Sequence, residues 1–187
     1  SGTLQRQRET ATELLPVVEH QAPPILMESL NEYSGDPLIR IYLRDHAVSE
    51  GTPIPNSWPV KDNKTFQSIL EAASARWIRD ELEPEDSDQG FEYWRDFKQR
   101  VYAAIDQIME THTGGSKVLV STSGGVIATA LQLVLGFSDQ QVIATNWMVH
   151  NSSITKVRYG GGRVSIIQFN SLPHLERRGR QHLITYR

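Results

Sequence analysis

Apolar residues recur along the first half of the chain with the spacing of amphipathic helices. From Glu9 to Glu19 they fall every three or four residues, and Pro16 predicts that this helix ends or bends there. After a loop rich in proline, asparagine and glycine, two stronger helices are predicted, one from Phe66 to Leu82 and one from Phe91 to Ile108. Their apolar stripes carry large aromatic residues that we expect in the core: Trp77, Trp94 and Phe97.

The second half of the chain carries a strand–turn–helix pattern. Lys117–Ser121 is a compact apolar run that predicts a strand, as does the shorter run Ile25–Met27 nearer the start. Ser123-Gly124-Gly125 follows the later strand and leads into an apolar helix that ends near Gly136. Ser138 is a candidate N-cap of one more short helix.

A β-hairpin is predicted near the end, because two β-rich segments, Ser152–Tyr159 and Arg163–Phe169, flank three consecutive glycines. Strand–turn–helix units with a late hairpin favour an α/β fold. We predict a single domain over residues 1–187, built as a three-layer α/β/α sandwich with a mostly parallel mixed sheet. Ligands of such sheets bind at the carboxyl ends of the strands, which directs attention to Ser121–Gly125.

Composition narrows the choice of partners. The net charge of -3 provides no general attraction to nucleic acid or to an anionic membrane. The absence of cysteine excludes disulfides and thiolate chemistry, and no apolar run approaches the ~20 residues of a membrane-spanning helix. We expect a cytoplasmic protein with neither a nucleic-acid nor a membrane partner and with no bound metal. Its oligomeric state is left open.

The turn Ser121-Thr122-Ser123-Gly124-Gly125 is the first candidate anion site. Backbone N–H groups converge where a helix begins, glycines let an anion approach, and the helix dipole favours negative charge. The turn is not a P-loop, since no Gly-Lys-Ser/Thr follows, and it lacks the first glycine of the serine-hydrolase elbow. The alternative is a tight turn whose serines only cap the helix.

Arg6 and Glu32 are further candidates that are weak when taken singly. Arg6 stands near the start of a predicted helix, where a guanidinium can grip a phosphate with two hydrogen bonds. Glu32 follows the short apolar run Ile25–Met27 and is a candidate general acid. The alternatives are a solvated helix end and an ordinary surface charge.

These motifs, taken in order, resemble those of the histidine phosphatase superfamily, also described as phosphoglycerate-mutase-like. The family shows L-x-R-x-x-x-T-A, L-x-E, S-H-G-G-x-I, N-x-S-I-T and N-x-x-x-H-L in this order. The corresponding segments of this chain are Leu4-x-Arg6-x-x-x-Thr10-Ala11, Leu30-Asn31-Glu32, Val120-x-x-Ser123-Gly124-Gly125-Val126-Ile127, Asn151-Ser152-Ser153-Ile154-Thr155 and Asn170 to Leu175.

The resemblance implies a phosphatase that acts on a phosphorylated small molecule and needs no cofactor. Arg6 would clamp the phosphoryl group, Glu32 would protonate the leaving oxygen, and Ser123 with Gly124 would line the phosphate pocket. In the family a histidine attacks phosphorus, and water or a second hydroxyl then resolves the phosphohistidine. A phosphatase is favoured over a mutase, since nothing in the sequence indicates a retained phosphoglycerate intermediate.

Two departures from the family pattern bear on activity. No Arg-His-Gly, the motif that supplies the nucleophile and belongs to the family's first strand, occurs in the sequence, so we expect it upstream of Ser1. Ser123 stands in place of the family's second histidine and cannot carry positive charge near neutral pH. His174 or His150 is a possible pocket residue that would compensate. The alternative function is a weak or inactive relative that binds phosphorylated ligands or partners, and a serine hydrolase is a more distant third.

Overall fold

The computed structural model describes residues 1–19, 22–55, 58–113 and 115–186. The chain forms two compact units. The first unit comprises Ser1–Glu32 and Gln99–Arg187, and the second comprises Tyr33–Lys98. Every residue that the sequence places in the site belongs to the first unit.

Aromatic side chains fill the core of the second unit. Helices α2 (Gly35–Asp45) and α3 (Asn63–Trp77) pack against each other, and the first residues of α4 (Trp94–Thr111) belong to the same unit. The Trp77 ring centroid lies 4.6 Å from that of Tyr33 and 4.8 Å from that of Trp94. Trp77, Trp94 and Phe97 are all buried, so their predicted place in the core is confirmed.

Three helices complete the first unit, together with the end of α4: α1 (Gln5–Leu14), α5 (Gly124–Leu135) and α6 (Asp139–Met148). Helix α5 packs against α6 and touches the second strand of the hairpin. The predicted cap at Ser138 is confirmed: its hydroxyl accepts the Gln141 N–H at 3.3 Å, and the Gln141 side chain accepts the Ser138 N–H. None of the helices in the described part of the chain is long and apolar enough to cross a membrane.

The predicted hairpin is confirmed. Strands β1 (Ile154–Gly160) and β2 (Arg163–Ser171) pair antiparallel, with Gly160 opposite Arg163. Gly161 and Gly162 form a two-residue turn with φ of 58° and 72°, the left-handed region that a tight hairpin turn requires and that glycine adopts without strain.

The structure assigns no strand to the two other segments for which one was predicted, Lys117–Ser121 and Ile25–Met27, so neither is a regular strand here. Ile25 and Met27 nevertheless bond to Ser1 with the pattern of a single parallel bridge. A strand exists through hydrogen bonds to a neighbour, and within the described residues the backbone of 117–120 forms none. Val118 and Leu119 are 39% and 56% exposed. The described residues form an α/β chain whose one sheet is the hairpin, so the three-layer arrangement stays a prediction.

An ion-pair cluster lies in the second unit. Asp88 is buried, and its carboxylate accepts hydrogen bonds from the Glu85 N–H at 3.0 Å and from Arg44 Nη1 at 2.8 Å. Arg44 also binds the carboxylate of Asp45 and the carbonyl of Glu83. The backbone N–H of Glu85, together with the Arg44 guanidinium, lowers the pKa of the Asp88 carboxyl.

Replacing Asp88 by asparagine removes the charge and keeps an oxygen for the Glu85 N–H. A carboxyl whose pKa is lower in the folded state stabilises the fold above its unfolded pKa of about 3.9, and this contribution is lost as the pH falls through the folded pKa. We expect D88N to be less stable than wild type near neutral pH and to lose less stability on acidification. Thermal unfolding between about pH 6 and pH 2 measures both effects.

The control for this prediction is D36N, because Asp36 forms an exposed ion pair with Arg40 in the same unit. Exposed pairs contribute little to stability, so D36N should follow the wild-type pH dependence. A D88N protein that loses as much stability on acidification as wild type would contradict the prediction.

Candidate active site

The turn Ser121–Gly125 leads directly into helix α5. Ser123 occupies the N-cap position in an extended conformation, yet its side chain forms no capping hydrogen bond. The Ser121 hydroxyl donates to the carbonyl of Gln7 at 2.8 Å. Neither serine therefore caps the helix, and the interpretation of the turn as a simple serine cap does not hold.

The start of helix α1 supplies two hydrogen-bond donors to Ser123. Arg6 Nη2 lies 3.3 Å and Gln7 Nε2 lies 2.9 Å from the Ser123 Oγ. These contacts join residues more than 100 positions apart in sequence. The structure thus brings together Arg6 and Ser123, which the sequence predicted to share one site.

The Gln7 side chain is the buried centre of this arrangement, only 2% exposed. Besides Ser123, its Nε2 binds the carbonyl of Leu30 at 3.1 Å, and its Oε1 accepts the N–H of Leu4 at 3.4 Å. The Thr122 hydroxyl donates to the same Leu30 carbonyl at 2.7 Å. Helix α1, the Leu30 segment and the turn before α5 are therefore held at one point.

Gly2 lies directly against this amide. A Cβ at position 2 would overlap the Gln7 Oε1 and would lie 2.9 Å from Asn31 Oδ1. The Asn31 oxygen already accepts the N–H of Thr3, and the Asn31 amide donates to the Thr3 hydroxyl. Glycine is therefore the residue that fits at position 2.

Glu32 reaches the N-terminus of helix α5. It is buried, and its Oε2 accepts the Gly125 N–H at 2.9 Å. Arg100 holds the preceding segment by donating through Nη1 to the carbonyls of Ser29 and Asn31. The third predicted site residue thus lies next to the turn that carries Ser123.

Arg6 faces solvent. Its only hydrogen bond from the guanidinium to a described residue is the bond to Ser123, and among the described residues no carboxylate forms an ion pair with it. A guanidinium has five N–H donors, so several remain for a bound anion. A cation and a hydroxyl beside a helix N-terminus form an arrangement suited to phosphate.

His150 and His174 lie in a different hydrogen-bond group. The His150 Nδ1 is 2.9 Å from the amide nitrogen of Asn170, and its ring packs on Tyr186 at 4.2 Å between centroids. The His174 Nε2 is 3.2 Å from the Ser152 hydroxyl. Within the described residues, neither histidine hydrogen-bonds to Arg6 or Ser123. No group of three histidine or carboxylate side chains in the described ranges could hold a metal ion.

The protein-family model of the histidine phosphatase superfamily (branch 1) matches residues 57–172, which is more than half of the chain. The chain belongs to the histidine phosphatase superfamily. The range that matches the superfamily includes Ser123 and the hairpin, whereas Arg6, Glu32 and His174 lie outside it. Comparisons with curated proteins and with solved structures found no match.

Membership in the histidine phosphatase superfamily points to phosphoryl-transfer chemistry.

Gln7 is the residue of the candidate site that sequence reasoning missed. The signal was present, because Gln7, Ala11 and Leu14 follow helical spacing and Gln7 therefore falls on the apolar stripe of α1. A polar residue on such a stripe is buried with hydrogen-bond partners.

Gly124 permits the close approach of helix α6 to the candidate site. A Cβ at position 124 would lie 2.5 Å from Asn146 Oδ1, 3.2 Å from the Asn146 carbonyl and 3.5 Å from Val149 Cβ. Asn146 is itself buried. The site therefore has no room for a side chain at the first residue of α5.

We expect G124A to lower the free energy of unfolding by about 1–3 kcal/mol, as overpacking of a tight interior does. The matched control is G35A, because Gly35 is also the first residue of a helix and a Cβ there would meet only Leu70 Cδ1 at 3.9 Å. G35A should be neutral or slightly stabilising. Urea unfolding of both variants measures the difference, and equal values would contradict the prediction.

Proposed function

We propose that this protein is a phosphomonoester hydrolase that acts on a phosphorylated small molecule through a phosphohistidine. The nucleophilic histidine lies upstream of this chain, within the Arg-His-Gly motif of the superfamily. Arg6 clamps the phosphoryl group, Ser123 and Gly124 line its pocket, and Glu32 is the proton donor. A cytoplasmic location is part of the same proposal.

The observation that carries the proposal is the convergence of Arg6, Ser123 and Glu32 at the N-terminus of α5. Arg6 contacts Ser123, and Glu32 binds the N–H of Gly125, two residues further along. Phosphoryl transfer spreads negative charge over the phosphoryl oxygens, and a guanidinium with a helix N-terminus neutralises that charge. Superfamily membership supplies the reaction class.

The proposed reaction has two steps. The histidine nitrogen attacks phosphorus, the bond from phosphorus to the ester oxygen breaks, and that oxygen takes a proton from Glu32. Water then attacks the phosphorus of the phosphohistidine, the bond from phosphorus to the histidine nitrogen breaks, phosphate is released, and Glu32 recovers a proton from the water.

The exposed segment 117–119 is consistent with the proposed upstream strand and the three-layer fold. The backbone of 117–120 forms no hydrogen bonds within the described residues, and Val118 and Leu119 face solvent. The segment Ile25–Met27 bonds to the first residue of the chain: the Ser1 nitrogen donates to the Ile25 carbonyl and the Met27 N–H donates to the Ser1 carbonyl, both at 2.8 Å. In a parallel ladder, one residue bonds in this way to the two residues on either side of its partner.

The second candidate function is a relative that binds phosphorylated ligands or partners without turning them over. The observation that favours it is Ser123, which replaces a histidine that polarises the phosphoryl group in the family. Loss of one such donor costs about 3 kcal/mol of transition-state stabilisation, or about a hundredfold in rate. Neither His150 nor His174 bonds to Ser123 among the described residues.

Arg6→Ala tests the phosphatase proposal in the full-length protein with its natural start. Loss of the clamp is expected to lower kcat/KM for an aryl phosphate by about 10²–10³-fold. The control is R8A, which removes an exposed arginine of the same helix and should stay within about twofold of wild type, as expected for a solvated surface charge.

The outcomes separate the two candidate functions. Turnover that is lost in R6A and kept in R8A supports the phosphatase. Well-folded protein that binds inorganic phosphate in calorimetry without turnover favours the binding protein. Turnover unaffected by R6A would rule out the role given to Arg6.

Glu32→Gln tests the proton donor. Glutamine keeps an oxygen for the Gly125 N–H but has no proton to give, so the effect should depend on the leaving group. We expect kcat to fall by about 10²–10⁴-fold for an alkyl phosphate and by much less for a nitrophenyl phosphate, whose leaving group needs no proton. Equal losses on both substrates would argue against Glu32 as the acid.

A further inference from the structure

The orientation of the Gln7 amide is fixed by two partners, one of which can only accept a hydrogen bond and the other only donate one. The Leu30 carbonyl is solely an acceptor, so the NH₂ group of Gln7 must face it. The Leu4 N–H is solely a donor, so the amide oxygen must face Leu4. The second hydrogen of the NH₂ group is then directed at the Ser123 Oγ, 2.9 Å away.

This orientation settles the direction of the hydrogen bonds at Ser123. Both the amide nitrogen of Gln7 and the guanidinium of Arg6 are donors without acceptor capacity, so the Ser123 Oγ accepts from each. A hydroxyl oxygen has two lone pairs, and these two bonds use them. The hydroxyl proton of Ser123 therefore points away from Gln7 and Arg6.

From this geometry we infer that Gln7 is a positioning residue that makes Ser123 a committed hydrogen-bond donor to a phosphate oxygen. The inference rests on the proposed function and extends it to the position where this chain departs from its family. A histidine presents an N–H on a rigid ring, whereas a serine hydroxyl rotates and has no preferred direction of its own. The buried amide of Gln7 supplies that direction.

The surroundings make this donor valuable to a bound anion. The Gly125 N–H at the start of α5 is already taken by Glu32 and does not serve a substrate in this arrangement. Arg6 supplies charge from the exposed side, and the Ser123 hydroxyl supplies an uncharged donor at the helix N-terminus. Gln7 itself is buried, so it would influence a bound anion through Ser123 and not by direct contact.

The test is a double-mutant cycle on the full-length protein with inorganic phosphate as the probe, read by calorimetry. S123A removes the donor and should weaken phosphate binding by about 10- to 100-fold, as expected for a hydrogen bond to a charged group. Q7L should weaken binding about tenfold when Ser123 is present. In the S123A background Q7L should change binding by less than about twofold, because its effect passes through the hydroxyl.

A second pair of variants keeps the proposal testable if Q7L does not fold. Q7E places a carboxylate against Ser123, which attracts the hydroxyl proton and reverses the hydrogen bond. Phosphate binding by Q7E should fall further than in S123A. Q5E is the matched control, since it adds the same charge on an exposed face of the same helix, where the Gln5 side chain hydrogen-bonds to Glu9.

The results distinguish a positioning role of Gln7 from a purely structural one. Two results together support the inference. Q7L leaves phosphate affinity almost unchanged when Ser123 is already replaced by alanine, and Q7E binds phosphate much more weakly than Q5E does. Equal losses from Q7L in both backgrounds, or Q7E equal to Q5E, would show that Gln7 only supports the fold and would overturn the inference while leaving the proposed function intact. Wild-type protein that neither binds phosphate nor hydrolyses an aryl phosphate would overturn the proposed function itself.

Discussion

The buried side-chain amide of Gln7 joins three segments that lie far apart in the sequence. It bonds to the carbonyl of Leu30, 23 residues away, and to the hydroxyl of Ser123, 116 residues away. An amide removed from water is costly unless its hydrogen bonds are satisfied, so the three segments must meet in this register for the fold to be favourable. Arg6 and Glu32 reach the N-terminus of α5 because this register holds.

The site combines a buried carboxyl group with an exposed cation. The carboxyl group of Glu32 is held at the N-terminus of α5 by the Gly125 N–H. In the proposed phosphatase, an incoming phosphoryl group depends on the exposed guanidinium of Arg6 for charge and on Ser123 for a neutral donor. Serine in place of the family's histidine makes this proposed dependence stronger, because an imidazole ring can carry charge and a hydroxyl cannot.

The sequence was sufficient for elements whose determinants are local. Ser138 caps α6 and the glycines at 161 and 162 turn the hairpin because each acts within a few residues. The run Lys117–Ser121 has the composition of a strand, but a strand needs a neighbour that local pattern does not supply. Arg6, Glu32 and Ser123 were predicted from the order of the motifs. Gln7 was missed although its spacing places it on the buried stripe of α1, because a polar side chain there does not read as part of an apolar pattern.

The space occupied by the Gln7 amide has a consequence for how this sequence can change over evolution. Because a Cβ at position 2 would overlap that amide, glycine at 2 and glutamine at 7 are tied together. A Cβ at position 2 would also lie 2.9 Å from Asn31 Oδ1, so a larger residue there requires changes at both 7 and 31. Among descendants of such a sequence, position 2 should therefore change only after those two positions have changed.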